Sequence, residues 1–367
     1  MGPFFILLLS NIPKNGDHPG AVAGCGSGIL RTGTALRGLA ASAGLFGFAR
    51  KTELLAASLS LVFLWGVVAR RAPLALAQDA AVFRAGVQLV RVDAQVVDGR
   101  RVLGNLTAED FQVFDEGVPQ TITYFGRDTE PLWVLLLLDV SGSMHKRLAE
   151  MAVVARKALG SLGPQDRVSV VFFGRRIRIS QEFTTDLDFA ADAIGEAASE
   201  RSVGSGTAIN PSILEAASYM RRQAQSKPGR RAIVILTDNG GLNYQVTDER
   251  VLEELLAADA VLNAIVTQEA KPPGVAKKGV YVNPDFTPSD VFHLARQTGG
   301  EILRAERAGD TFREMMERIR TRYSLHYRSP QSSPGQVRKI RVELSAEARK
   351  RHARAEVRAR SGYRVPD

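Results

Sequence analysis

The sequence predicts a doubly wound α/β domain, a mostly parallel sheet flanked by helices, joined to a small β-sandwich built from the chain on its two sides. Three observations carry this. Apolar runs of strand length alternate with helix-length segments from Leu132 to about Tyr323. Those runs are apolar almost throughout, as strands covered on both faces are. The chain before and after them alternates apolar and polar residues with period two, the mark of half-buried strands.

The start of the chain reads as a targeting region. Residues 4–9 are apolar but too short to span a bilayer. Arg50 and Lys51 precede an apolar run over residues 54–68, and Ala75-Leu76-Ala77 stands before Gln78. A basic start, an apolar middle and a small-x-small site form the order of a secretory signal. Arg70 and Arg71 interrupt that order, so an uncleaved membrane anchor over residues 54–69 is the alternative. Val22-Ala23-Gly24-Cys25 imitates a lipoprotein box, but the polar residues 11–20 separate it from the first apolar stretch. Residues 1–77 are therefore set apart as start region and signal or anchor, and the mature chain is expected in the periplasm or secreted.

The mature chain divides into a β segment (78–128), the α/β domain (129–323) and a C-terminal β segment (324–367). In the first, Val90, Val92, Ala94 and Val96 face one way and Arg91, Asp93 and Gln95 the other. A hairpin follows, with Phe111 and Val113 on one arm, Ile122 and Tyr124 on the other, and Asp115-Glu116-Gly117 near the turn. The buried strands of the α/β domain are residues 132–138, 168–173, 232–236 and 260–266. Residues 148–162, 209–222 and 249–258 are long enough for crossover helices. Phe312, Met315, Met316, Ile319 and Tyr323 mark the apolar stripe of a closing helix. In the tail, Ile340, Val342 and Leu344 alternate with Arg341 and Glu343, and Ala355, Val357 and Ala359 with Glu356, Arg358 and Arg360. Neither β segment is long enough to enclose a core alone, so the two are expected to pair.

Composition narrows the chemistry. The one cysteine among 367 residues excludes an internal disulfide. Five histidines without HxxH or HExxH spacing argue against a histidine-built zinc site. A net charge of +9 favours contact with nucleic acid, anionic lipid or acidic protein without choosing among them.

The strand 132–138 ends in Asp139-Val140-Ser141-Gly142-Ser143. Ligands of open parallel sheets collect beyond the carboxyl ends of strands, which is where this motif must lie. Spacing by two sets Asp139, Ser141 and Ser143 on one side of an extended chain. Gly206-Thr207 before a helix offers a third hydroxyl, and the strand 232–236 ends in Thr237-Asp238-Asn239-Gly240 with a second carboxylate. Every candidate ligand is an oxygen. That suits a hard cation, Mg²⁺ (or Mn²⁺ or Ca²⁺), before zinc or copper. The competing account is helix capping by Ser143 and Thr207, which would explain neither Asp139 nor Asp238.

Asp139-x-Ser141-x-Ser143, with Thr207 and Asp238 in order on the expected elements, resembles the metal-ion-dependent adhesion site of von Willebrand factor type A domains, over roughly residues 130–322. The resemblance implies that Ser141, Ser143 and Thr207 bind the metal directly and that Asp139 and Asp238 act through bound water. Asn239 stands where the family commonly has Gly, and Asn tolerates the same left-handed backbone. Asn105-Leu106-Thr107-x-x-Asp110-Phe111-x-Val113 with Asp115-Glu116-Gly117-x-x-Gln120-x-Ile122, and the close Val357-Arg358-Ala359-Arg360-x-Gly362-Tyr363, resemble the flanks of a bacterial group of such proteins frequent in Acidobacteria-like genomes.

The resemblance implies a non-enzymatic interaction module that captures an Asp or Glu of a protein partner through the cation. Loops near residues 174–178, 201–205 and 239–245 would form its rim, made basic by Arg175, Arg176, Arg178 and Arg201. A metal-dependent hydrolase or phosphatase would need a general base or a second metal beside the first, and no second carboxylate cluster is evident. A nucleic-acid role would lean on Arg349-Lys350-Arg351-His352-x-Arg354, which reads instead as a solvated hairpin face. His145 is expected at the surface, and residues 271–278 as a surface loop.

Overall fold

The computed structural model describes residues 89–127, 130–274, 281–330 and 332–365. The signal or anchor over residues 1–77, and residues 275–278 of the 271–278 loop, lie outside the described residues. No helix among the described residues is long and apolar enough to cross a membrane.

The α/β domain is built on a six-stranded sheet. Its strands are β6 (Leu132–Asp139), β7 (Arg167–Phe173), β8 (Ile177–Thr184), β9 (Arg230–Thr237), β10 (Ala260–Thr267) and β11 (Ile302–Ala305), in the spatial order β11-β10-β9-β6-β7-β8. All neighbours run parallel except β7 and β8, which form an antiparallel pair at one edge. The helices are α1 (His145–Leu159), α2 (Leu187–Glu196), α3 (Ile209–Ala224), α4 (Asp248–Ala257), α5 (Val291–Gln297) and α6 (Ala308–Arg320).

Strand β6 explains the double winding. Its alternate residues Leu132, Val134, Leu136 and Leu138 enter a core with α1, α2 and α6, while Trp133, Leu135 and Leu137 enter a second core with α3, α4 and α5. Every residue of β6 is buried. Each fully buried leucine contributes about 2 kcal/mol by removal of apolar surface from water. Phe312, Met315, Met316 and Ile319 of α6 pack into the first core, whereas Tyr323 belongs to the next strand and the sandwich core.

The two flanks form a β-sandwich around a third core. One sheet joins β1 (Leu89–Asp98), β2 (Arg101–Val102), β5 (Ile122–Arg127), β12 (Tyr323–Arg328) and β14 (Glu356–Ala359), with the order β14-β1-β12-β5 and β2 beside β1. The other joins β3 (Phe111–Asp115), β4 (Val118–Gln120), β13 (Val337–Leu344) and β15 (Gly362–Arg364) in the order β15-β13-β3-β4. The α/β domain is inserted between β5 and β12, which are themselves paired.

Three readings of the flanks are corrected. The hairpin partner of β3 is β4, and Ile122 and Tyr124 lie on β5 in the opposite sheet. The basic run 349–354 is no hairpin face: it includes the end of a short helix, α7 (Ala346–Arg351), where Arg351 pairs with Asp110 and Arg349 donates to the Ala355 carbonyl at 2.6 Å. The polar face of β1 is turned to the α/β domain and not to solvent. There Gln95 is fully buried and donates to the Arg318 carbonyl at 3.1 Å, and Arg91 reaches Glu130 at 3.0 Å and also pairs with Asp259. Buried Arg230 donates to the carbonyls of Ile319, Arg320 and Arg322, closing the C-terminal end of α6, where positive charge is favoured.

Candidate metal centre

Four loops meet beyond the carboxyl ends of β6, β7 and β9. They follow those three strands and precede α3. The Val140 amide donates to the Phe173 carbonyl at 2.9 Å, Ala208 to Gly174 at 2.8 Å, and Leu242 to Thr207 at 3.2 Å. Gly174 and Gly241 permit the close approach. A side chain on Gly174 would lie 2.6 Å from the Gly204 carbonyl, and one on Gly241 would lie 2.5 Å from that of Thr207.

Asp139 closes β6 and is fully buried. Its Oδ1 accepts from the Ser141 amide at 3.0 Å, and its Oδ2 from the Thr237 hydroxyl at 2.8 Å. Ser141 and Ser143 bring their hydroxyls to 3.2 Å of each other. Ser143 donates to Asp238 Oδ2 at 2.6 Å, and the other Asp238 oxygen accepts from the Gly240 amide at 2.9 Å. Asp139, Ser141, Ser143 and Asp238 thus form one connected group, with Asp238 half-buried and Ser143 exposed. Asn239 adopts the left-handed backbone, at φ 59°.

Thr207 is the fifth expected residue. It is half-buried at the same sheet end, placed there by its carbonyl bond from Leu242. Its hydroxyl makes no hydrogen bond with another described residue.

The electrostatics of the group are unbalanced. Burial pushes the Asp139 carboxyl up to about 6; hydrogen bonds from Ser141 and Thr237 oppose the shift, and the neighbouring charge of Asp238 adds to it. No Lys, Arg or His forms an ion pair with Asp139 or Asp238 among the described residues. Nor, among those residues, do three His, Cys, Asp or Glu side chains gather to hold a metal. A cation here would have to be held by hydroxyls beside the two carboxylates, and the donor set fits a hard ion.

Capping does not account for these side chains. The turn Gly142–Met144 and helix α1 begin without a side-chain cap, and so does α3, which starts after Ala208. Two expectations change, one for the rim and one for the surface. Arg178 lies on β8, where it pairs with Glu200, and so is not a free rim charge. His145 opens α1 half-buried, with Nε2 enclosed and without a hydrogen-bond partner among the described residues, and Nδ1 3.5 Å from Arg201. Thr237, which orients Asp139, was not singled out by sequence reasoning, although it directly precedes the strand-end Asp238.

Residues 134–241 match the family model of the von Willebrand factor type A domain. No curated protein matches the chain. Among solved structures, an aerotolerance-related membrane protein from Bacteroides fragilis is similar at 17% identity and a TM-score of 0.38, over 51% of this chain and 98% of that one. A von Willebrand factor type A protein from Catenulispora acidiphila is similar at 12% identity and a TM-score of 0.39, over 77% and 75%. The von Willebrand domain of the type V pili tip protein Mfa5 from Porphyromonas gingivalis is similar at 18% identity and a TM-score of 0.26, over 31% and 40%.

Proposed function

We propose that the α/β domain, of which residues 134–241 match the von Willebrand factor type A model, is a protein-interaction module that takes an acidic side chain of its partner through a bound divalent cation, Mg²⁺ foremost. The observation that carries the reading is a pair of carboxylates, one fully buried, tied together through the Ser141 amide and the Ser141 and Ser143 hydroxyls and lacking any basic partner among the described residues. Burying a carboxylate without a compensating charge is costly, and a cation at this place would offset that cost.

In this reading Ser141, Ser143 and Thr207 hold the ion through their hydroxyls, while Asp139 and Asp238 balance its charge and orient water around it. Neutral hydroxyl donors leave the ion electron-poor, so that it attracts one more anionic oxygen. An Asp or Glu of a partner supplies that oxygen, and the surrounding loops choose among partners. Arg175, Arg176 and Arg201 are exposed and have no carboxylate partner among the described residues, which favours an acidic approach. The apolar run over residues 54–68, with its basic start, supports export of this module.

The test is a manganese titration of the full chain, reading free Mn²⁺ by electron paramagnetic resonance. The wild type is expected to remove Mn²⁺ from solution, with Mg²⁺ competing. Ser141→Ala, Ser143→Ala and Thr207→Val are expected to weaken binding at least tenfold while leaving the circular dichroism spectrum unchanged. Equal binding by all four proteins, or none by the wild type, rejects the proposal.

A further inference from the structure

The loop that follows Asp238 carries a backbone feature that the metal reading leaves unexplained. Tyr244 and Gln245 are consecutive non-glycine residues in the left-handed region, at φ 44° and 69°. A bulky side chain is disfavoured there, and such conformations persist only when the surroundings impose them. Here the surroundings do. The Asn243 side chain donates to the Pro284 carbonyl at 2.9 Å, its amide to Thr287 at 2.9 Å, and the Gln245 amide to Asp285 at 2.7 Å.

The imposed backbone sets one side chain in a particular place. The Tyr244 ring is half-buried, edge-on to Phe286 with centroids 5.9 Å apart, and the Arg175 guanidinium lies over it at 5.8 Å. The Tyr244 hydroxyl is 3.5 Å from the point where a Cβ on Gly206 would lie, which puts it against the residue that immediately precedes Thr207. Phe286 is 46% exposed and Val282 41%, and Arg175 has no carboxylate partner among the described residues. A rigid tyrosine, a second aromatic and an arginine at the edge of a binding centre are the composition that supplies most of the energy of protein interfaces.

We propose that Tyr244, with Phe286 and Arg175, is the specificity-determining ridge of the binding face, and that it selects a partner segment in which the metal-directed Asp or Glu is adjacent to an aromatic side chain. The acid answers the uncompensated Arg175 and the cation; the neighbouring aromatic covers the apolar surface of Phe286 and Tyr244. The inference rests on the metal-dependent reading above. The strain at residues 244 and 245 then has a purpose: the ring is held ready before the partner arrives, so that less conformational freedom is lost on binding.

The experiment uses the full chain on an array of synthetic peptides with a central aspartate flanked by glycine, phenylalanine, leucine or lysine, with Mn²⁺ and with chelator. Tyr244→Gly is compared with wild type for peptide binding, thermal midpoint and Mn²⁺ affinity. Glycine relieves the left-handed strain, so a residue kept for packing and one kept for binding respond differently. The expected result is at least fivefold stronger Mn²⁺-dependent retention of aspartate–phenylalanine over aspartate–glycine peptides. In Tyr244→Gly that preference is lost, while the thermal midpoint is unchanged or higher and Mn²⁺ affinity is unchanged. Equal retention of both peptides, no retention despite Mn²⁺ binding, or a lower midpoint with the preference intact overturns the ridge and leaves the metal reading standing. Failure of the wild type to bind Mn²⁺ overturns both.

Discussion

Replacing Asp115 by alanine is expected to cost the sandwich about 4 kcal/mol of stability, within the range for leaving one partner of a buried ion pair alone. Asp115 is fully buried at the end of β3. One carboxylate oxygen accepts from Arg338 Nε at 2.8 Å and Nη2 at 2.6 Å; the other accepts from the hydroxyls of Tyr327 at 2.9 Å and Tyr363 at 3.0 Å. The alanine variant leaves a largely buried guanidinium and two phenols without their acceptor. Tyr327→Phe removes only one donor and is expected to cost about 1 kcal/mol. Burial, followed by the bond to Asp115, pushes the Tyr327 hydroxyl far above its ordinary range, so the phenol stays a donor at all working pH values. Urea unfolding followed by tyrosine fluorescence and circular dichroism measures both variants. A loss under about 1 kcal/mol for Asp115→Ala would refute the assignment of this carboxylate as the hub of the sandwich.

Three further outcomes are expected. Glu200 is held down to about 2, chiefly by hydrogen bonds from Ser202 and with help from Arg178, against a smaller opposing effect of burial. A depressed carboxylate stabilises fully above its unfolded value near 4.5 and loses that contribution as pH falls toward 2; the melting curves of wild type and Glu200→Gln should therefore differ at pH 6 and converge by pH 2. Gly241→Ala places a methyl group 2.5 Å from the Thr207 carbonyl and 2.7 Å from Ile209, so calorimetry should show a loss of about 2 kcal/mol, with cation affinity reduced on the order of tenfold as the two loops part. Leu136→Ala at the centre of β6 should cost about 3 kcal/mol in chemical unfolding, since the fully buried site cannot collapse around the cavity.

The parts of the fold that were legible in the sequence are those whose burial is extreme. Strand β6 reads as continuous leucine because both of its faces are covered, and its end at Asp139 follows from the abrupt change to Val140-Ser141-Gly142. Strand β8 was missed because an edge strand of the sequence IRISQEFT, half-exposed along its length, carries neither an apolar run nor strict alternation. Helix α2 went unread for a related reason: alanine forms most of its buried face, at Ala190, Ala191 and Ala193. Alternation in β1 was visible, but nothing local indicated that the Arg91–Gln95 face would be covered by another part of the chain. The flank motifs gain a physical meaning only in three dimensions. Asp115 of the leading motif and Tyr363 of the closing motif are hydrogen-bonded across 248 residues of chain. A side chain on Gly362 would lie 2.7 Å from the Arg338 carbonyl.

The candidate site was legible to a similar degree. Asp139, Ser141 and Ser143 are close in sequence, and strand-end topology alone brings Asp238 to them. Thr207 was placed by chain order before a helix, and its hydroxyl remains outside the hydrogen-bonded group. The left-handed backbone of Tyr244 could not be foreseen, because nothing in the residue type announces it.

Anomalous diffraction from crystals of this chain grown with Mn²⁺ tests the central claim most directly. The account predicts a manganese peak within about 2.2 Å of the Ser141 and Ser143 hydroxyls, with Thr207 turned toward the same point. A protein that takes up no manganese there, with the Ser143–Asp238 hydrogen bond intact and the metal elsewhere or absent, would contradict it.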